Sequence, residues 1–118
     1  MKFKITINDN EYHADMVDCE LVNQIADMCP FESTYKQHLH HEYFTKLLST
    51  VNDEGCPLTT SILKNKIYYY QKWNSLVIVY EDANVSPYEL SYIGEFEEDV
   101  SEYLQEMGRN IFVEVDAE

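Results

Sequence analysis

The stretch IYYYQKWNSLVIVYEDANVSPYELSYIG, residues 67–94, decides the fold. It holds three strand-like runs rich in Tyr, Val and Ile, with Asn74, Asn84 and Pro87 between them. β-Branched and aromatic side chains fit a pleated, half-buried surface, and Asn and Pro mark where such a chain turns. Residues 76–80 are apolar on both faces: Leu76, Ile78 and Tyr80 point one way, Val77 and Val79 the other. A strand of that kind must be covered on both sides, in a closed barrel or in the middle of a packed sheet.

Outward from this centre the pattern repeats. Residues 3–7 and 11–16 alternate around Asn8, Asp9 and Asn10, which predicts a tight hairpin. Asp18 is placed to cap a helix whose Leu21, Val22, Ile25, Ala26 and Met28 recur at helical spacing, with Glu20 in its first turn. Pro30 ends that helix. Residues 31–36 and 41–48 read as strands, and 49–60, with Asn52, Asp53, Gly55 and Pro57, as an exposed loop. Residues 62–66 turn into a strand at 67–70, followed by strands at 75–80 and 88–93.

A second helix is predicted over residues 97–107. Glu97, Glu98 and Asp99 crowd its start, Val100, Tyr103, Leu104 and Met107 form one stripe, and Gly108 closes it in a left-handed conformation. Residues 111–115 alternate as a last strand. No repeat or linker interrupts the chain, so one domain of 118 residues is expected. About eight strands and two short helices predict a mainly β fold, a closed barrel that leaves no open strand edge.

Charge narrows the partners. Asp and Glu outnumber Lys and Arg 22 to 8, a net charge of −14, which argues against direct contact with phosphate backbones or anionic membranes. No apolar run approaches the length needed to span a bilayer. The N-terminus alternates Lys2 and Lys4 with Phe3, Ile5 and Ile7, a strand pattern without the features of an export signal. Cys19, Cys29 and Cys56 have no metal-type spacing and are expected as reduced thiols in a cytoplasmic protein.

The order of these pieces resembles the bacterial cyclophilin-like family. The resemblance rests on the hairpin KITINDNEYHADM, the junction Met28-Cys29-Pro30-Phe31, the strand His41-Glu42-Tyr43-Phe44, the strand Asn74-Ser75-Leu76-Val77-Ile78-Val79-Tyr80, and the run from Ser86 to Gly94. It spans residues 2–115 and implies a closed eight-stranded barrel with a helix at each end. Isomerising cyclophilins carry an Arg in a Phe-His-Arg strand motif. The only Arg here is Arg109, in no such motif, and Lys36 or Lys46 would not reproduce a planar guanidinium fork. Robust prolyl isomerisation, which needs a group that stabilises the twisted amide, is therefore not expected.

Three kinds of site can be read from the residues. If the family topology holds, Glu42, Phe44, Tyr80 and Tyr92 surround a cavity, with Glu42 as polar anchor and the rings as walls. That cavity would take a small molecule or an extended peptide, without a cofactor. The wider aromatic set from which it draws includes Tyr68, Tyr69, Tyr70, Trp73 and Tyr88. His38, His40 and Glu42 would share one strand face and could hold Zn²⁺ or Fe²⁺, although clustered His is a weak signal and incidental histidines explain it too. Cys56, in a loop beside Gly55, has no histidine paired with it in sequence. The expected function is a binding module. A weak prolyl isomerase and an acidic interaction protein mimicking nucleic-acid charge are the alternatives.

Overall fold

A computed structural model describes residues 1–52 and 55–118 of the protein; Asp53 and Glu54, within the expected loop, lie outside the described residues. In chain order the strands are β1 (Lys2–Ile7), β2 (Asn10–Met16), β3 (Phe31–His38), β4 (Glu42–Lys46), β5 (Leu58–Thr59), β6 (Ser61–Ile62), β7 (Lys66–Tyr70), β8 (Ser75–Val79), β9 (Ala83–Asn84), β10 (Leu90–Phe96) and β11 (Asn110–Ala117). Helices α1 (Glu20–Met28) and α2 (Ser101–Gln105) and a 3₁₀ turn at Gln71–Trp73 complete the set.

Eight strands run in the order β2-β1-β11-β3-β4-β8-β7-β10, and β10 then pairs with β2 to close the ring. Every pairing around it is antiparallel. The closing seam sets Gly94 opposite Met16, Glu95 opposite Asp15 and Phe96 opposite Ala14. The fold is therefore the mainly β, closed eight-stranded barrel with two helices that the pattern predicts.

Local sequence explains how the ring turns. Asn8 and Asp9 both adopt positive φ, 48° and 73°, the backbone that two-residue hairpins require and that Asn and Asp tolerate. Asn74 closes the 3₁₀ turn at φ 46°; its side chain accepts a hydrogen bond from Tyr69 Oη at 2.7 Å and donates one to Ser49 O at 3.0 Å. β8 is buried along its whole length, as its two-faced apolar pattern demands. Leu76 and Ile78 join the barrel interior, whereas Val77 and Val79 join a second cluster outside it with Ile62, Tyr68, Tyr70 and Leu90.

The helices cover opposite ends. α1 buries Leu21, Val22 and Ile25, and Gln24 bonds to Asn52 in the segment that follows β4. α2 buries Leu104, and Gln105 Nε2 reaches Tyr80 O just after β8. Because β4 and β8 run antiparallel, with Glu42 opposite Val79, these attachments lie at the two ends of the barrel.

Several boundaries differ from expectation. Cys19, not Asp18, holds the N-cap of α1, with no side-chain cap bond. The second helix is only Ser101–Gln105, because the acidic residues before it are used elsewhere. Glu98 Oε2 accepts from His13 N at 3.0 Å, Glu97 N donates to His13 O at 2.8 Å, and the Glu97 carboxylate pairs with Lys2. Its N-terminal amides are satisfied instead by Asn65 Oδ1, 2.9 Å from Val100 N and 3.1 Å from Ser101 N, and by Asp99 Oδ1. Gly108 does not take a left-handed conformation; its carbonyl accepts a hydrogen bond from Tyr43 Oη at 2.7 Å. β3 and β10 extend to His38 and Phe96, and Tyr88 stands in the turn before β10. Asn84, read as a turn residue, pairs in β9 with Ser61.

Two measurements check this frame. A Cβ on Gly94 would stand 2.6 Å from Met16 Sδ and 3.1 Å from Asp15 O, so Gly94→Ala should destabilise the protein by about 1–3 kcal/mol in chemical denaturation. A loss below about 0.5 kcal/mol would mean the seam is loose. Hydrogen bonds from Ser101 Oγ and Ser101 N hold the Asp99 carboxyl below the usual carboxylate range. A lowered native value stabilises above the unfolded-state value, about 3.9, and is lost as pH falls through the native one. Asp99→Ala should therefore lower the melting temperature at neutral pH, and the gap should narrow below about pH 4.

Candidate functional site

The barrel interior is filled. A cavity within it, among Phe3, Ile5, Met16, Tyr35, Ile67, Leu76, Ile78 and Val115, measures only about 10 Å³. Eight strands enclose a space that side chains can just fill, and here the fully buried Tyr35, Tyr43 and Tyr69 join a set of Ile and Val residues in the interior cluster. A binding site has to lie elsewhere.

A concavity of about 690 Å³ forms a groove on the outer face. One wall is the β3–β4 hairpin with His38, Leu39, His41 and Glu42; the floor and far side are Tyr70, Lys72 and Trp73; the other wall is Ala83, Asn84, Val85, Tyr88 and Leu90. Alternation builds it. His38, Glu42, Tyr70 and Leu90 all take the outward-facing register on their strands, and the short β6–β9 pair raises a rim beside them.

The β3–β4 hairpin sets the polar groups of the groove. β3 and β4 pair with His38 directly opposite Glu42. In the three-residue connection between them, Leu39 and His40 both have positive φ, 52° and 58°, which suits a tight turn but is uncommon for Leu and carries strain. His41 N donates to His38 O at 3.3 Å, and Tyr80 N donates to His41 O at 2.9 Å, which ties the turn to the end of β8. His41 is thereby folded back over Glu42, while His40 is left exposed.

The carboxylate of Glu42 is buried, and burial pushes its carboxyl up to about 7. His41 Nδ1 stands 3.0 Å from Glu42 Oε1 and His38 Nδ1 stands 3.7 Å from Oε2. Neither buried nitrogen meets hydrogen-bond geometry with any side chain or backbone group. Burial holds both imidazoles below their usual range, and His38 adds to the effect on His41. Above this polar base the walls are aromatic. The Trp73 ring lies 5.1 Å from His38, 5.2 Å from Phe44 and 5.1 Å from Tyr70, and Tyr70 meets Tyr88 at 6.4 Å. Lys72 Nζ sits 5.5 Å over the Tyr88 ring.

Of the four residues expected around one cavity, only Glu42 lines the groove. Phe44 lies behind it, packed on Trp73 and on His38. Tyr80 points into the barrel end, 5.3 Å from Tyr43, and accepts a hydrogen bond from Gln37 Nε2 at 2.7 Å. Tyr92 packs on Tyr68 on the outer face, with Lys66 Nζ over its ring. The four do not converge, because Tyr80 shares the inward register of Leu76 and Ile78. The expected face of His38, His40 and Glu42 is also corrected: the turn carries His40 away and brings His41 in. Trp73, Tyr70 and Tyr88 belong to the aromatic set seen in the sequence, but nothing there singled them out as walls. Arg109 does not line the groove. Among the described residues the three cysteines form no disulfide, and Cys56 Sγ lies 3.1 Å from Cys19 Sγ.

A profile of the cyclophilin-like family matches residues 5–116. Among solved structures, one described as McbB in complex with tryptophan is similar at a TM-score of 0.71 and 13% identity. The similarity covers 98% of this chain and 44% of that one, so the chain spans less than half the neighbour's length. At that identity the likeness shows the fold alone. No curated protein matches the chain in sequence. Among the described residues, no helix is long and apolar enough to cross a membrane.

Proposed function

This chain belongs to the cyclophilin-like family, and on that footing we propose that its outer groove binds a compact ligand with an apolar or aromatic body. The ligand is a free small molecule or one bulky side chain of an extended peptide. The observation that carries this reading is the groove's composition: aromatic walls from Tyr70, Trp73 and Tyr88 over a buried carboxylate, Glu42. Its volume of about 690 Å³ falls inside the range of about 300–1,000 Å³ typical of ligand sites. Aromatic walls supply contact area at low entropic cost, and few polar groups fix orientation. The similar structure described with tryptophan bound is compatible with such an occupant on this fold.

Binding without strong catalysis is the form we favour. Twisting a prolyl amide is helped by a donor aimed at it, and Arg109 does not line the groove. Phe44, behind Trp73, would support the wall without touching the ligand. Tyr80 and Tyr92 would contribute to the barrel, not to recognition. The protein is proposed to act in the cytoplasm.

Trp73 is the chain's single tryptophan and lies in the groove wall, so its fluorescence reports occupancy. Titration with short peptides containing Phe or Pro, followed by this fluorescence, and with indole, tryptophan and Trp-containing peptides, followed by calorimetry, should give a saturable change with at least one of them. Tyr88→Ala, at an exposed wall position, should weaken that binding by about tenfold, or about 1.4 kcal/mol. Phe112→Ala, exposed on β11, should leave it unchanged. A flat response to every probe, or binding indifferent to Tyr88→Ala, would contradict the proposal.

A further inference from the structure

We propose that His38, His41 and Glu42 form a binding site for one divalent transition metal ion, of which Zn²⁺ fits best, at the polar base of the groove. The inference goes beyond the groove reading, although all three residues also line the groove.

The geometry is that of a partly contracted ligand set. One donor atom from each residue lies within 4.8 Å of the others. Zn–N and Zn–O bonds of about 2.0–2.2 Å place two ligands of a tetrahedral ion about 3.4 Å apart. The separations here, 3.0 Å from His41 Nδ1 to Glu42 Oε1 and 3.7 Å from His38 Nδ1 to Oε2, bracket that value.

The protein's own groups leave this set unsatisfied. The Nδ1 atoms of His38 and His41 are buried without a hydrogen-bond partner. An orphaned buried polar atom costs about 1–3 kcal/mol, and two side by side call for an explanation. Glu42, only 5% exposed, has no Lys or Arg partner among the described residues. A cation answers all three at once: it takes both imidazole lone pairs and neutralises the carboxylate. Two imidazoles and a carboxylate suit Zn²⁺, and three protein ligands leave a fourth position open toward the groove. The strained turn at Leu39 and His40 is the backbone feature that lifts His41 into the set, and strain of this kind gathers at functional sites.

A second grouping, His13 with Glu97 and Glu98, serves as the internal comparison. There the carboxylates are already engaged, by Lys2 and by His13 N, and the site is more exposed.

The test is a titration of the metal-free full chain with Zn²⁺ by calorimetry and with Co²⁺ by visible absorption, with no organic ligand present. Wild type should bind one ion at about 1 μM or tighter, and Co²⁺ should show tetrahedral ligand-field bands without a thiolate charge-transfer band. His38→Ala, His41→Ala and Glu42→Gln should each weaken binding by at least about tenfold. His40→Ala and His13→Ala should not. If Glu42→Gln fails to fold, His38→Ala decides, since His38 is partly exposed. Binding weaker than about 1 mM, loss of binding in His13→Ala, or a thiolate band from Cys19 and Cys56 would overturn the proposal. Because no organic ligand is used, that failure leaves the groove reading standing, and failure of the aromatic probes leaves the metal site standing.

Discussion

Closure of the sheet through β2 and β10 is the constraint on which the rest depends. A curled sheet with free edges would leave backbone donors and acceptors unpaired and would have no defined interior. Once Gly94 admits Met16 and the ring shuts, the strands have one inward and one outward register, interrupted in β10 by a bulge between Tyr92 and Gly94, and side chains are assigned largely by parity. The inward set is large enough to fill the space, leaving about 10 Å³. Recognition is thereby displaced to the outside. The groove is a consequence of this filling: Phe44 of β4 and the outer faces of β7, β8 and β10 present Tyr68, Tyr70, Val77, Val79 and Leu90, which need a cover. The β6–β9 pair and the 83–90 segment supply it only in part, and the uncovered remainder is the site.

The electrostatics of the site follow from the same parity. His38 and Glu42 face each other because a hairpin of this length puts them in register, and both point out because Tyr35 and Tyr43 point in. Burial then sets their character, raising Glu42 and lowering the two histidines toward uncharged forms. Such a cluster between an apolar core and an open groove is rarely a packing necessity. An apolar residue at position 42 would cover Val77 and Val79 as well without the desolvation cost. That is the physical reason to place chemistry there.

The architecture was legible from the sequence because its signals were local and redundant. The two-faced run from Leu76 to Val79 demanded cover on both sides, and Asn8, Asp9 and Asn74 stand at positive φ where turns were marked. The second helix was overread because Glu97 and Glu98 look like a helix start, yet they stitch β10 to β1 and β2 across the closed seam. That pairing is long-range and leaves no local trace. The site was only partly legible. Tyr80 could have been excluded, since alternation already put it with Leu76 and Ile78. Glu42 was found, but His41 was not, because strand parity fails at a turn whose residues, Leu39 and His40, carry none of the usual Gly or Asn signals.

The most direct check of this account is native-state hydrogen exchange along the closing seam, comparing the β2 and β10 amides and Val17 N, which donates to Ile93 O at 2.8 Å, with those of β8. If the barrel is shut and filled, seam amides exchange only through global unfolding, with the same protection as β8. Seam amides that exchange freely while β8 stays protected would mean an open sheet. The interior would then be available to ligands, and the argument for an outer site would fail.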